Sequence, residues 1–301
     1  RNTRWHNGKT VEGKLWYQRS ATEGIKADQA AWGLHLAFPN NEGFHGEVRF
    51  ESIDENFNPA LGFISRRGEW TSLQIGNNKR FNQPWLRNIF TGISADNFTN
   101  AAGDLQTRQV WFRPFRIENN RGDRYGILLE RNREVLYEDF EIFPGVIIPP
   151  GDYDFRRYRF ELQRATERPF APNLVVQNGG FFDGNRLQIN AGIDWRPTRR
   201  VLLGAAYEFN DVELPAGDFV TRLIQLRANV AFSAEWSWMN FLQYDNVSKS
   251  AGINSRLRWN PRAGDDLYIV WNHSFDAQGS FTGLESRRAQ LALKYTRTFR
   301  F

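Results

Sequence analysis

Residues 186–196, RLQINAGIDWR, alternate without a break: Leu187, Ile189, Ala191, Ile193 and Trp195 take the odd positions, and Arg186, Gln188, Asn190, Gly192, Asp194 and Arg196 the even ones. A period of two puts such sets on opposite faces of a β-strand, one apolar and one polar. The pattern returns with Val201, Leu203, Ala205, Tyr207 and Phe209 against Gly204, Glu208 and Asn210. It returns again with Ile224, Leu226, Ala228, Val230 and Phe232 against Gln225, Arg227 and Asn229, and with Ile253, Leu257 and Trp259 against Asn254, Arg256 and Arg258. The chain reads as all-β.

Alternation alone does not choose between a soluble sandwich and a membrane barrel; run length and punctuation do. The runs extend over about 10 to 16 residues, beyond the ~5–6 of ordinary strands and enough for the roughly 9–11 that a transmembrane strand needs. Short connections such as WRPTRRV (195–201), FSAEW (232–236) and NPRAGDD (260–266) interleave with longer ones, NDVELPAGDF (210–219), DNVSKSAG (245–252) and HSFDAQGSFTGLESRR (273–288). Short turns at one end and long loops at the other are the build of bacterial outer-membrane barrels. A helical span is excluded, since no stretch approaches 18 consecutive apolar residues and the mean hydropathy is −0.60. A barrel span is compatible with that value, because its strands need only every second residue apolar. Aromatic residues make up 15% of the chain, with 11 Trp and 25 Phe, a content that aromatic girdles at the membrane interfaces would explain.

Charge and cysteine usage narrow the classes further. With no Cys, disulfides, thiolate metal sites and cysteine nucleophiles are excluded together. The net charge of +5 rests on arginine, because Lys occurs only at 9, 14, 26, 79, 249 and 294 among 39 basic residues. These arginines are spread over alternating strands and no compact basic helix carries them, so nucleic acid is not the expected partner. An arginine-lined interior fits the spacing.

The expected fold is a transmembrane antiparallel β-barrel of the outer-membrane type, of roughly 16–18 or more strands, occupying residues 1–301 as a single domain. A stub at 1–6 and the turn HNGK precede runs near 9–20, 27–38, 42–54, 68–79, 84–95, 102–116, 123–142, 152–166, 172–182, 185–197, 200–211, 219–232, 235–246, 252–260, 266–275 and 286–301. The count is odd where single-chain bacterial barrels have an even number, and the chain starts at Arg1 without Met or signal peptide. The expectation is therefore that one or more N-terminal strands, and any domain ahead of them, lie outside the sequence. In the last run Leu291, Leu293, Tyr295, Phe299 and Phe301 share a face opposite Arg288, Gln290, Ala292, Lys294, Thr296, Thr298 and Arg300. That ending resembles the C-terminal signal read by the barrel-assembly machinery, with Lys294 at the polar position and Tyr295, Phe299 and Phe301 on the aromatic face. Thr296 and Arg297 depart from it, where Gly and a hydrophobe are usual.

Several blocks carry a wider resemblance: ENFNPALGFISRRG (55–68), IIPPGDYDFRRYRFEL (147–162), GGFFDGNRLQINAGIDWRPTRRVLLGAAYEFNDVELPAGDFVTRLIQLRANVAFS (179–233) and FLQYDNVSKSAGINSRLRWNPRAGDDLYIVWNH (241–273). From about residue 50 onward the chain resembles an uncharacterised family of outer-membrane barrels often found behind a family-nine-type carbohydrate-binding domain. The resemblance implies a bacterial outer-membrane location, lipid and lipopolysaccharide as surroundings, and glycan-related work. It brings no catalytic residues and no substrate, and nothing in residues 1–301 looks like the binding domain.

Candidate sites follow from the polar face. Arg186, Gln188, Asn190, Asp194, Arg196, Gln225, Arg227, Asn229, Asn254, Arg256, Arg258, Arg288 and Lys294 would line the lumen, where guanidinium forks suit carboxylates, phosphates and sugar hydroxyls. Alternatively these charges pair with one another and stiffen a closed barrel. In FNPALGF, Phe57, Asn58 and Phe63 would form a constriction at the mouth or cap the rim, and FPGVIIPPGDY (143–153) would cover the mouth or form a rigid edge. The NHS triplet at 272–274 holds the residue types of an outer-membrane phospholipase, but His273 and Ser274 are strand neighbours that point opposite ways. Asp265–Asp266 and Asp152–Asp154 have the chemistry of a hard-cation site or of solvated turns. No covalent step and no cofactor are expected. The chain is expected to act as a channel or uptake component for polar solutes, saccharide or anionic among them; the alternatives are a plugged barrel anchoring a carbohydrate-binding domain and an outer-membrane hydrolase.

Overall fold

The computed structural model describes residues 2–5, 9–59, 62–64, 66–277 and 283–298. Among them there is no helix. The strands are β1 (Asn2–Trp5), β2 (Lys9–Arg19), β3 (Ala30–Phe38), β4 (Gly43–Ile53), β5 (Gly68–Arg80), β6 (Leu86–Thr99), β7 (Leu105–Asn119), β8 (Arg124–Leu136), β9 (Phe140–Phe143), β10 (Val146–Ile148), β11 (Gly151–Gln163), β12 (Phe170–Phe181), β13 (Gly184–Thr198), β14 (Val201–Glu213), β15 (Phe219–Ala231), β16 (Trp236–Asp245), β17 (Ser250–Arg262), β18 (Asp265–Ala277) and β19 (Leu284–Arg297). One large antiparallel sheet takes all of them except β9 and β10, which form a hairpin of their own. The chain divides into two compact units, one of Arg1–Phe160, Asn178–Asn185 and Glu213–Asp218, the other of Glu161–Gln177, Arg186–Val212 and Phe219–Phe301.

In the first unit β1 pairs with β2, and β2 through β8 pair antiparallel in chain order. The register sorts the side chains. Leu15, Leu34 and Phe50 follow one another across β2–β4, as do Leu36, Val48, Leu73, Ala95 and Val110 across β3–β7. On the other face Glu47, Gln74, Ser94, Trp111 and Glu130 form a row across β4–β8. At one end of this unit the connections 20–29, 54–67 and 137–150 are long; at the other, 39–42, 81–85 and 120–123 are short. The connection 100–104, at the same end as the long ones, is short as well, so long loops and short turns alternate here only in part.

The second unit holds β14 through β19 in the same meander. One face carries the rows Trp236–Trp259–Leu267–Tyr295 and Trp238–Leu257–Ile269–Leu293. Its outermost large side chains are bare: Leu291 is 72% exposed and Leu293 71%. Ile224, Tyr244, Ala251, Phe275 and Ala277 pack together farther along the same face. The opposite face carries Gln225, Gln243 and Gly252 in one row and Asn254, Asn272 and Gln290 in another.

Three expectations about the elements are corrected. The run expected over 123–142 stops at Leu136, and the apolar segment after it folds as the β9–β10 hairpin. Pro144 and Gly145 at φ 82° supply its turn, and the Gly145 amide donates to Glu141 Oε1 at 2.9 Å. Val146 and Ile148 are buried in it, with Val146 3.3 Å from where a Cβ on Gly217 would stand, so the segment forms a packed edge within its unit. The connections expected over 210–219 and 245–252 shrink to 214–218 and 246–249, because polar residues continue the strands. Phe299 and Phe301 of the expected assembly signal lie outside the described residues; Tyr295 is 59% exposed on the apolar face.

Gly68 opens β5 at φ 118°, and a Cβ there would stand 2.0 Å from the Thr99 carbonyl oxygen on the paired strand. Gly68→Ala is expected to lower unfolding stability by about 2 kcal/mol or more. Gly24→Ala, at φ 82° with nothing within 4 Å, should cost about 1–2 kcal/mol. Denaturant titration followed by tryptophan fluorescence distinguishes the two.

Candidate functional site: the polar face of the sheet

The sheet's polar face is built by alternation, so each strand contributes every second side chain to it. In the first unit Glu47 sits between His35 Nε2 at 3.0 Å and Arg49 Nη2 at 2.9 Å. Glu118 takes Arg87 at 2.9 Å and Arg124 at 3.2 Å. Trp70 Nε1 donates to Asp96 Oδ1 at 3.0 Å, and Thr107 Oγ donates to Glu134 at 2.7 Å. Arg157 and Glu130, both nearly buried, face each other at 3.6 Å. The same guanidinium lies over the Phe155 and Phe181 rings, which belong to an aromatic cluster with Phe140, Tyr153 and Phe182.

In the second unit the register brings the predicted residues of β15–β19 onto one face. Gln225 is opposite Gln243, Arg256 opposite Met239 and Val270, Arg258 opposite Tyr268, Arg288 opposite Ser274 and Lys294 opposite Tyr268. Arg227 reaches Asp194 at 2.6 Å, which puts the β13 set on that face too. Arg186 donates to Gln188 at 2.6 Å, Asn254 to Asn272, and Arg196 to the Thr166 carbonyl. Asn229 is opposite Leu202 and Met239, and Asn190 carries a buried oxygen with no hydrogen-bond partner. Arg258 pairs with Asp266 at 2.6 Å, whereas Arg256, Arg288 and Lys294 have no ion-pair partner among the described residues. Phe241, Asn254, Asn272, Ser274, Arg288 and Gln290 line a hollow of about 480 Å³ there.

The remaining sequence candidates fall elsewhere. Phe57 is buried at 5% exposure, the Asn58 amide donates to Ser20 Oγ at 3.0 Å, and Phe63 stands 90% exposed. Asp152 and Asp154 are held by Arg133 and Arg131, at 2.5 and 2.8 Å. The guanidinium hydrogen bonds keep both carboxyls below the usual carboxylate range, which makes them ion-pair anions. Asp266 is likewise engaged by Arg258 and Asn260, and among the described residues no group of three His, Asp or Glu side chains could hold a metal. His273 and Ser274 do point to opposite faces. His273 Nε2 instead meets Ser286 Oγ at 2.7 Å on the apolar face, its ring stacked on Phe275. A nucleophile and a base are in reach there, but among the described residues no carboxylate or amide hydrogen-bonds the other ring nitrogen to orient it, as a working dyad needs.

Sequence reading missed the first unit's polar face, although GEWTSLQIG (68–76) carries the same alternation, with Trp70, Ser72 and Gln74 on that face. What hid it is the break at Pro114, where the register shifts and both Phe112 and Phe115 pair on the apolar side. No protein-family model matches the chain, and no curated protein matches it.

Arg157→Met is expected to destabilise the fold by about 3–5 kcal/mol, because it removes a cation from a buried carboxylate. Adding Glu130→Leu should restore much of that loss, read by the shift in denaturation midpoint of the single and double variants.

Proposed function

We propose that the chain is an outer-membrane β-barrel that closes on itself and conducts polar solutes through a lumen lined by the charged face. What supports this most is the apolar face and its height. On β16 the rows run from Trp236 to Tyr244, a span of ~27 Å at ~3.4 Å per residue and roughly 21 Å along the normal at a tilt of ~40°, close to the ~25 Å apolar band of outer-membrane barrels. The row Trp236–Trp259–Leu267–Tyr295 lies at one edge of that band, as an interfacial girdle would. In the other unit, Arg131, Arg133, Asp152 and Asp154 end the apolar stretch on β8 and β11, and Leu129, Ile127, Tyr158 and Phe160 continue it. A soluble protein does not leave contiguous apolar surface of this extent bare.

The lumen on this reading has more arginine than carboxylate, with Asp194 and Asp266 already paired. Selectivity would favour anions through electrostatics, with no covalent step and no cofactor. Lipid and lipopolysaccharide would contact the apolar face, and the barrel-assembly machinery would insert the chain. The blocks that resemble barrels found behind a carbohydrate-binding domain add saccharides to the solute classes. A second reading has its own support: Glu47, Glu118, Glu130, Asp194 and Asp266 are all paired with neighbouring bases, as in a stiffened, non-conducting barrel that anchors such a domain.

Planar-bilayer recording separates the two. Stable ohmic steps with anion preference are expected, and neutralising Arg227, Arg256 and Arg258 together to Gln should move the reversal potential toward cation selectivity without loss of folding. A folded but silent protein would favour the anchor.

A further inference from the structure

A hollow of about 540 Å³ opens on the polar face within the first unit, inside the ~300–1,000 Å³ range of small-molecule sites. Glycines make it. Gly76 and Gly92 are paired directly across β5 and β6. The Phe90 ring lies along the space they leave: a Cβ on Gly76 or Gly92 would come within 2.7 Å of it. Arg116 stands over that ring at 4.9 Å and His45 beside it at 5.5 Å between centroids. The result is an aromatic wall flush with the backbone.

Around this wall the chemistry is that of an anion with hydroxyls. Arg113, Arg116 and Arg159 line the hollow against one carboxylate, Glu130, and Glu130 faces a further cation, Arg157, at 3.6 Å. Trp111 offers a second ring, and Gln74, Ser94, Asn40 and Asn41 offer neutral donors and acceptors. Asn78 adds an independent sign of a missing partner: its Nδ2 donates to the Asn41 carbonyl at 2.8 Å, while its Oδ1 is buried with no hydrogen bond. A buried acceptor without a donor costs stability that a ligand hydroxyl would recover.

We infer that this hollow is a binding site for a small acidic sugar, a ring bearing a carboxylate or phosphate that Arg113 and Arg116 hold while its C–H face lies on Phe90 or Trp111. Guanidinium forks match both anions bidentately. The inference rests on the proposed channel only for how the solute arrives, so binding is measurable without conduction.

Isothermal calorimetry on the detergent-solubilised full chain tests it, with digalacturonate and glucose 6-phosphate as the acidic probes and lactose and acetate as the neutral-sugar and bare-anion controls. One of the acidic sugars should bind at least about tenfold tighter than both controls. Arg113→Gln with Arg116→Gln should weaken it by roughly tenfold or more, Phe90→Leu should weaken it too, and Arg262→Gln, exposed in the other unit, should leave it unchanged. Equal binding of lactose, or undiminished binding in the double arginine variant with its denaturation midpoint preserved, overturns the inference, as does the absence of binding by either acidic sugar. A protein that conducts but does not bind contradicts this site alone; one that binds but does not conduct contradicts the channel alone.

Discussion

The ladder of backbone hydrogen bonds between consecutive strands carries everything else in this molecule. Strand pairing in chain order satisfies the main-chain donors and acceptors without help from side chains, which leaves the two faces free to differ completely. One face can then be apolar throughout, as in the row Leu36, Val48, Leu73, Ala95 and Val110, while the other holds Glu47, Gln74, Ser94, Trp111 and Glu130. In a medium without water, pairing of that kind is the only way for a strand to survive, and it demands that no edge stay open. That demand is the physical reason for proposing closure.

The two faces solve different problems. On the apolar face few large side chains are buried; Trp238 and Asn240 show how its occasional polar atoms are managed, both hydrogen-bonded to Ser255 at 2.8 Å. On the charged face, neighbouring strands place acid beside base, and the buried Arg157–Glu130 contact is where that arrangement matters most for folding. Glycines recur where a ring lies flat on the wall, with Trp16 over Gly33 as with Phe90 over Gly76. Those rings give the polar face shaped hollows, among them the one lined by Phe90 and Trp111.

Much of this was legible beforehand in the second unit. RLQINAGIDWR and RLRW alternate cleanly, so Asp194, Arg227, Arg256 and Arg258 could be assigned to one face from spacing alone. The ion pair from Arg227 to Asp194 needed the register between strands, which the period of two does not determine. In the first unit the signal was weaker, because the shift around Pro114 reverses the parity within a single strand and mixed aromatic and charged residues blur the contrast. The β9–β10 hairpin was hidden for another reason: an apolar run of this length is the same for a strand and for a folded loop, and only Pro144–Gly145 marks the turn. The hollow around Phe90 depends on Gly76 and Gly92 falling opposite each other on neighbouring strands, a coincidence of register that no local pattern contains.

The sharpest test is of the two faces themselves. The chain has no Cys, so single cysteines can be placed at 32 to 38 on β3 and 44 to 51 on β4 and the protein reconstituted in lipid vesicles. If one face meets lipid and the other a water-filled lumen, a water-soluble maleimide should label positions 35, 47, 49 and 51 and spare 34, 36, 48 and 50, while a fluorophore at the spared set is quenched by brominated lipid. Equal labelling of both sets from water, with no lipid quenching at either, would contradict a membrane-spanning sheet and the channel with it.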